Sequence, residues 1–181
     1  MESPMKSPVL PASFPFGELA DDLAIQGKVD FCRRFPNPVL LLESMPNIDE
    51  QDIIVNTEIT DLKEPRRAPT EPGERRVVLL AKSGNNQYTE RITVGRARNN
   101  DIVIRAQKIS KLHAMFVPVV PGRYALMDMG SRNGTEVNGR RLAPKESATL
   151  QSGDRVAFWR CVFQYLEPDA FIARLRQHTG K

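Results

Sequence analysis

Short apolar runs separated by turn-forming residues fill the second half of the chain. Turn signals such as Pro121-Gly122, Asn133-Gly134 and Ser152-Gly153-Asp154 separate these runs. Many short strands at close spacing are typical of an all-β sandwich. Strands are predicted at residues 77–81, 91–94, 102–104, 114–120, 124–128, 136–137, 141–142, 148–150, 155–158 and 162–166.

The first part of the chain has a different pattern. Apolar residues at helical spacing predict a helix over 17–34, and Gly27 weakens its middle. Two strands are predicted after it, at 39–42 and at 53–59. At the other end of the chain, Pro168 in a first helical turn predicts a closing helix.

Prolines divide the chain into segments. Four of them stand among small residues before residue 16, and Pro65, Pro69 and Pro72 stand with Gly73 among charged residues. The predicted organisation is therefore a disordered arm (1–15), an N-terminal α/β extension (16–62), a linker (63–76), a β-sandwich (77–168) and a C-terminal helix and tail (169–181). The extension is expected to pack on the sandwich or to dock a partner.

Composition removes several classes of function. No apolar run approaches the roughly 20 residues that span a bilayer, and the first residues do not have the pattern of a secretion signal. Cys32 and Cys161 lie far apart and are interpreted as free thiols of a cytoplasmic protein. With only two histidines, no His-rich metal site is expected, and neither a metal nor a cofactor is predicted.

The charge balance leaves room for an anionic partner. The formal net charge is +4 and the sequence pI about 9.3, but acids stand among the basic residues. The aromatic residues do not form the stacking platform typical of RNA-binding sheets. Neither nucleic acid nor membrane is therefore expected as a partner.

Three loop-like clusters between residues 94 and 139 carry the chemistry. They are 95–101, 108–113 and 128–135, closed soon after by the hairpin signal Asn138-Gly139. Each cluster brings cations, hydroxyls or amides to a turn, which is the set of groups that binds a phosphorylated side chain. The sequence therefore predicts an anion site on loops at one end of the sandwich.

The order Gly95-Arg96, Ser110-x-x-His113 and Ser131-x-Asn133-Gly134-Thr135 resembles a forkhead-associated (FHA) domain of bacterial type. This resemblance covers about 76–168 and implies an eleven-stranded β-sandwich whose loops bind phosphothreonine in partner proteins. Threonine-phosphorylated proteins, substrates of a Ser/Thr kinase, are thus the expected partners.

The resemblance also implies roles for single residues. Arg96, Ser110, Lys111 and Arg132 are expected at the phosphate, and Asn133 at the backbone of the bound peptide. Further positions are assigned to specificity or to architecture. Lys108, Arg98 and Arg105 form the expected specificity rim, and Gly95, His113, Gly134, Asn138 and Gly139 are expected to shape the loops.

The basic segment 105–108 stands where the family commonly has acidic residues or proline. We therefore expect a preference for acidic residues after the phosphothreonine. A second possibility is a sandwich that docks partners without phosphate, through the N-terminal extension. Self-binding through a phosphorylated Thr57, Thr60 or Thr70 is a further variant.

An enzyme is the third possibility. Ser110, His113 and Asp128 are the residue types of a catalytic triad, but no nucleophile elbow accompanies them. No Walker or kinase motif is present either. A binding module without catalysis is therefore the favoured interpretation.

Overall fold

The computed structural model describes residues 13–44 and 76–179. Within these ranges the chain forms twelve strands and two helices. In chain order they are β1 (Ser13–Pro15), α1 (Phe16–Arg34), β2 (Val39–Ser44), β3 (Arg76–Leu79), β4 (Ile92–Gly95), β5 (Ile102–Val103), β6 (Ala114–Val120), β7 (Arg123–Asp128), β8 (Thr135–Val137), β9 (Arg140–Arg141), β10 (Ser147–Thr149), β11 (Arg155–Phe158), β12 (Cys161–Leu166) and α2 (Pro168–Thr179).

Two sheets face each other across the main core. One has the strand order β1-β3-β2-β12-β11-β8-β9, and the other has the order β10-β7-β6-β4-β5. Large apolar side chains from both sheets, among them Phe116, Phe158 and Tyr165, are buried between them. The predicted sandwich is therefore confirmed, with twelve strands in the described residues instead of the eleven implied by the resemblance.

Both helices cover the outer face of the seven-stranded sheet. Side chains alternate along a strand, so Leu40 points into the main core while Val39 and Leu41 point towards the helices. The ring of Phe31 in α1 packs at a tilt against that of Phe171 in α2, and the ring centroids are 6.2 Å apart. The molecule thus has three layers, and its second core lies between the sheet and the helices.

The predicted N-terminal helix is confirmed as α1. Its buried residues include Leu19, Leu23 and Phe31, which the apolar spacing placed on one face. Gly27 interrupts it with φ 79° and ψ 165°, a conformation that favours glycine. The C-terminal helix is confirmed as α2, beginning at Pro168.

The strand predicted at 39–42 is confirmed as β2, and it lies inside the sandwich. It pairs with β3 on one side and β12 on the other.

The predicted disordered arm (1–15) is wrong at its end, because Ser13–Pro15 form β1 and pair with β3. Phe14 is buried there, edge-on to Phe35. The strand at 53–59, residues 63–75 of the linker, the earlier part of the arm and Thr57, Thr60 and Thr70 lie outside the described residues. Arg76, which was predicted to end the linker, is instead the first residue of β3.

None of the helices in the described ranges is long and apolar enough to cross a membrane.

Candidate functional site

Three loops meet at one end of the sandwich. The first loop (96–101) follows β4, the second loop (104–113) precedes β6, and the third loop (129–134) follows β7. The antiparallel register pairs Val94 with Ala114 and Ala114 with Asp128. The end of β4, the start of β6 and the end of β7 therefore lie side by side, and the predicted clusters come together.

The first and second loops are joined by backbone hydrogen bonds. The Arg96 N–H donates to the Ser110 carbonyl at 2.9 Å, and the Ala97 N–H donates to the Lys111 carbonyl at 3.1 Å. Asn100 Nδ2 donates to the same Lys111 carbonyl at 2.7 Å. A Cβ on Gly95 would come within 2.9 Å of Asn100 Nδ2, so only glycine allows this close approach.

His113 joins the second loop to the third. Its Nδ1 accepts the Ser110 backbone N–H at 3.1 Å, so the ring proton lies on Nε2, which donates to the Gly134 carbonyl at 3.0 Å. Burial lowers the pKa of this histidine, which keeps the ring neutral as both bonds require. Both ring nitrogens are therefore bonded to backbone, and His113 does not act as a base on the Ser110 hydroxyl.

Asp128 shapes the third loop. Its carboxylate accepts the Gly130 and Ser131 N–H groups and the hydroxyls of Ser131 and Thr135 at 2.6–3.0 Å. Burial alone would raise its pKa, but these hydrogen bonds outweigh burial and lower it. The carboxylate is thus committed to the loop, and the Ser110, His113 and Asp128 side chains do not form a catalytic triad.

Gly134 ends the third loop in a conformation that favours glycine. Its φ is 92°, and a Cβ there would come within 2.7 Å of the Arg141 guanidinium carbon. Its carbonyl accepts both His113 Nε2 and the Trp159 N–H, the latter at 3.0 Å. The turn between β11 and β12 thereby helps to hold the third loop in place.

The groups predicted to contact a ligand are left available. Arg96 is exposed, and its guanidinium has no hydrogen-bond or ion-pair partner among the described residues. The Ser110 Oγ accepts the Arg132 N–H at 3.1 Å, which leaves the hydroxyl proton free to donate. Asn133 Nδ2 donates to the Lys108 carbonyl at 2.6 Å, while its Oδ1 has no partner in the described chain. These groups suit an oxyanion joined to a polypeptide backbone.

Positive charge is concentrated in these loops. Residues 96–113 and 129–134 hold six Lys or Arg residues and one acid, Asp101, although the whole chain has a net charge of only +4. Within the described residues, none of the six makes an ion pair, whereas seven other cations do. The six unpaired cations are Arg96, Arg98, Arg105, Lys108, Lys111 and Arg132.

The predicted rim residues occupy two of the loops. Arg98 is exposed in the first loop, and Lys108 is exposed in the second. Lys108 lies within a turn that is closed by a hydrogen bond from the Ile109 N–H to the Ala106 carbonyl. Arg105 is half-exposed just after β5. Only Lys108 is tied directly to another loop, through its carbonyl and Asn133.

The predicted hairpin at Asn138-Gly139 is confirmed. Both residues have positive φ, 50° and 78°, and they connect β8 to β9. Asn138 also bonds Asp154 and the Arg155 N–H, so its side chain supports the neighbouring turn. This hairpin shapes the sheet beside the third loop.

Asp101 is a structural centre that sequence reasoning missed. Its side chain is fully buried and pairs with Lys82 at 2.9 Å. Its carboxylate also accepts hydrogen bonds from the backbone N–H and the hydroxyl of both Ser83 and Thr93. A further hydrogen bond comes from the side-chain amide of Asn86. Burial opposes ionisation, but the hydrogen bonds from Thr93, Lys82, Ser83 and Asn86 lower the pKa from 3.8 to about 2.

Acid is expected to destabilise the protein through Asp101. Because its pKa is lowered by folding, the stabilisation is complete above pH 4 to 5 and is lost as pH falls towards about 2. The shift corresponds to about 2 kcal/mol of unfolding free energy. Urea unfolding across this range should show a steeper loss for the natural chain than for Asp101→Asn, which is less stable at neutral pH.

The matched control is Asp169→Asn, because Asp169 is an exposed carboxylate on α2. It should leave the pH dependence unchanged. An Asp101→Asn chain as acid-sensitive as the natural one would contradict this assignment.

Comparison with known proteins shows what the central part of the chain is similar to. Residues 92–159 match the family model described as FHA domain. A stretch of 65 residues is 45% identical to an ABC transporter ATP-binding/permease protein of Mycobacterium tuberculosis, covering 36% of this chain and 7% of that protein. A stretch of 73 residues is 37% identical to the oxoglutarate dehydrogenase inhibitor of Corynebacterium efficiens, covering 39% of this chain and 49% of the inhibitor. The chain thus spans less than half the length of these curated relatives.

Among solved structures, EmbR of Mycobacterium tuberculosis in complex with a low affinity phosphopeptide is similar to this chain. The identity is 28% and the TM-score 0.40, over 43% of this chain and 20% of that one.

Proposed function

We propose that this chain, whose residues 92–159 match the FHA domain model, is a non-catalytic module that binds phosphothreonine in partner proteins. One observation carries the proposal: the exposed Arg96 guanidinium has no partner among the described residues, and the Ser110 backbone carbonyl accepts the Arg96 N–H. A fork-shaped cation and a hydroxyl donor are thus fixed on adjoining loops, ready for a doubly charged phosphate.

The remaining groups complete a phosphopeptide site. Lys111 and Arg132 add unpaired positive charge beside Arg96 and Ser110. Asn133 offers an amide oxygen to an N–H of the peptide backbone while its nitrogen is held by Lys108. Phosphate would thus bind at the first and second loops with Arg132 of the third beside it, and the peptide backbone would pass Asn133.

The expected affinity is modest and depends on phosphate. Charge-assisted hydrogen bonds contribute about 1.5–3 kcal/mol each. Association costs of roughly 4–15 kcal/mol offset several of them. For a peptide that makes all of these contacts we expect a binding free energy of about −8 kcal/mol, which corresponds to a micromolar dissociation constant. Removal of the phosphate would then abolish binding, as a signalling adaptor requires.

Partners of this module would be substrates of a Ser/Thr kinase. We also propose that it acts in the cytoplasm, because both cysteines are free thiols and Cys161 is buried. The alternative is a docking module that needs no phosphate and uses the N-terminal segment. Arg96 and five further loop cations, none of which makes an ion pair with the described residues, favour the phosphate-dependent function.

Acidic residues after the phosphothreonine are expected to strengthen binding. Lys108 is exposed and unpaired among the described residues, and its carbonyl is bonded to the Asn133 amide. It is therefore placed beside the path of the peptide backbone, with Arg98 and Arg105 as further cations on the same loops. A phosphothreonine peptide library should show enrichment of Asp and Glu after the phosphorylated residue. Lys108→Glu should remove that enrichment, or reverse it, while binding still requires phosphate.

The library also tests the function itself. The same peptides without phosphate serve as the control and should not bind. Phosphate-dependent binding with no acidic enrichment would overturn only the preference. Equal binding of phosphorylated and unphosphorylated peptides would overturn the phosphothreonine function and favour the docking module.

A further inference from the structure

A groove of about 550 Å³ lies beside the phosphate-binding loops. This side groove runs between the segment 85–88, which connects β3 to β4, and parts of the first and second loops. Its size is within the roughly 300–1,000 Å³ of ligand sites in proteins. The groove is distinct from the third loop, since no residue of the third loop lines it.

The chemistry of the side groove differs from that of the basic rim. Lys111 is the one charged residue among those that line it. Amide side chains dominate the rest, with Asn85, Gln87 and Asn99 exposed, and Tyr88 and Leu112 contribute half-buried apolar surface. Such a surface suits an uncharged peptide segment, whose backbone bonds the amides and whose side chains contact the ring and the leucine.

Asn100 supplies a side-chain oxygen that is available to a ligand. Its side chain is 96% buried, and its Nδ2 donates to the carbonyls of Ala97 and Lys111. Its Oδ1 has no hydrogen-bond partner among the described residues, although Asn100 lines the groove. A ligand N–H at this position would form a hydrogen bond that the described part of the chain does not supply to this oxygen.

The walls of the groove are held in place before any ligand binds. The Asn86 side chain accepts the Tyr88 N–H and Lys82 Nζ, and it donates to Thr93, to the Asn99 carbonyl and to Asp101. The segment 85–88 is thereby fixed to the first loop. A ligand would lose less free energy to ordering the protein than it would on a mobile loop.

The groove is continuous with the proposed phosphate site. Lys111 follows Ser110 directly and lines the groove, and Ala97 follows Arg96 and lines it as well. On the other side of Ser110, Lys108 and Asn133 are bonded to each other. Consider a peptide bound in an extended conformation, with its phosphate at Arg96 and the residues on one side of the phosphothreonine beside Asn133. The residues on the other side of the phosphothreonine would then enter the groove.

We propose that the side groove binds the partner's residues that precede the phosphothreonine, and that it selects an uncharged segment with an apolar side chain. The inference rests on the proposed function, in which Lys108 meets the residues after the phosphothreonine. The groove would then give the module a second source of specificity, separate from the acidic preference on the other flank.

Isothermal titration of the full chain with two phosphopeptides tests the inference. Both peptides carry an acidic segment after the phosphothreonine, and one is extended before it by a short uncharged segment containing leucine. The extended peptide should bind about tenfold more tightly, because it adds one or two hydrogen bonds and apolar contact. Tyr88→Ala and the double variant Gln87→Ala/Asn99→Ala should each remove this gain and leave binding of the shorter peptide unchanged.

Gln177→Ala is the matched control, since Gln177 is an exposed amide on α2. Equal affinity of the two peptides for the natural chain would overturn the inference while leaving the phosphate-dependent function intact. If Tyr88→Ala weakened the binding of both peptides equally, the inference would also be overturned. Tyr88 would then support the fold of the loops and would not contact the residues before the phosphothreonine. Failure of both phosphopeptides to bind would remove the proposed function, and the inference with it.

Discussion

Replacement of Arg96 by alanine is expected to weaken binding of a phosphothreonine peptide by roughly 100-fold or more. The guanidinium is the exposed fork beside Ser110, and two charge-assisted hydrogen bonds to phosphate would be lost with it. Because its side chain has no partner among the described residues, thermal stability should not change. Isothermal titration and a thermal unfolding curve of the same variant measure both quantities.

Two further variants separate charge from geometry. Arg96→Lys keeps the charge but loses the fork, so its affinity should fall between those of the natural chain and Arg96→Ala. Arg174→Ala removes an exposed arginine from α2 and should bind as the natural chain does. An Arg96→Ala variant with undiminished affinity would mean that the phosphate binds elsewhere.

A chain that begins at Arg76 is expected not to fold into the sandwich. β3 pairs with β1 on one edge and with β2 on the other, so this truncation leaves β3 without a strand partner and β12 without a partner along one edge. Leu40 would leave the main core, and Phe31 and Leu41 would leave the second core, where each is almost fully buried. Loss of a large core side chain alone costs about 2–5 kcal/mol, a large part of a typical domain's stability. Circular dichroism and thermal unfolding would show the loss of cooperative structure.

The matched control begins at Ser13 and keeps every element from β1 onwards. It should unfold cooperatively at a temperature close to that of the full chain. A stable, cooperatively unfolding chain from Arg76 would show that the N-terminal segment is an accessory to the sandwich and not part of it.

Local patterns were enough to predict most elements of the fold. Most strands from β3 to β12 follow short apolar runs, and glycine or asparagine stands at several turn positions with positive φ, although Lys145 and Trp159 also have positive φ. The Asn138-Gly139 hairpin illustrates this, because both residues tolerate the positive φ that a two-residue turn needs. The three clusters around Arg96, Ser110 and Asn133 also met as predicted, since adjacent strands place their ends together.

Long-range pairing was not predictable from these patterns. Nothing in the run at β2 indicates that it lies between β3 and β12, because strand order depends on contacts between residues far apart in sequence. The structural roles of Asp101 and Asp128 were missed for a related reason. A carboxylate in a polar loop is usually solvated, and only the folded structure shows the donors that surround these two.

The side groove depends on the same kind of information. Tyr88 and Asn100 belong to different connections, and the Asn86 and Asp101 hydrogen bonds bring these connections together. The spacing in the sequence gives no sign of this contact. In contrast, the Arg96 and Ser110 positions are marked by the ordered set of motifs that carries the family resemblance.

The most direct test of the central claim is a nuclear magnetic resonance titration of the ¹⁵N-labelled chain with one peptide, in phosphothreonine and in threonine form. We expect the phosphorylated peptide, and not the unphosphorylated one, to shift the backbone amide signals of Arg96, Ser110, Lys111, Arg132 and Asn133. Identical spectra with the two peptides, or shifts confined to α1 and α2, would contradict it.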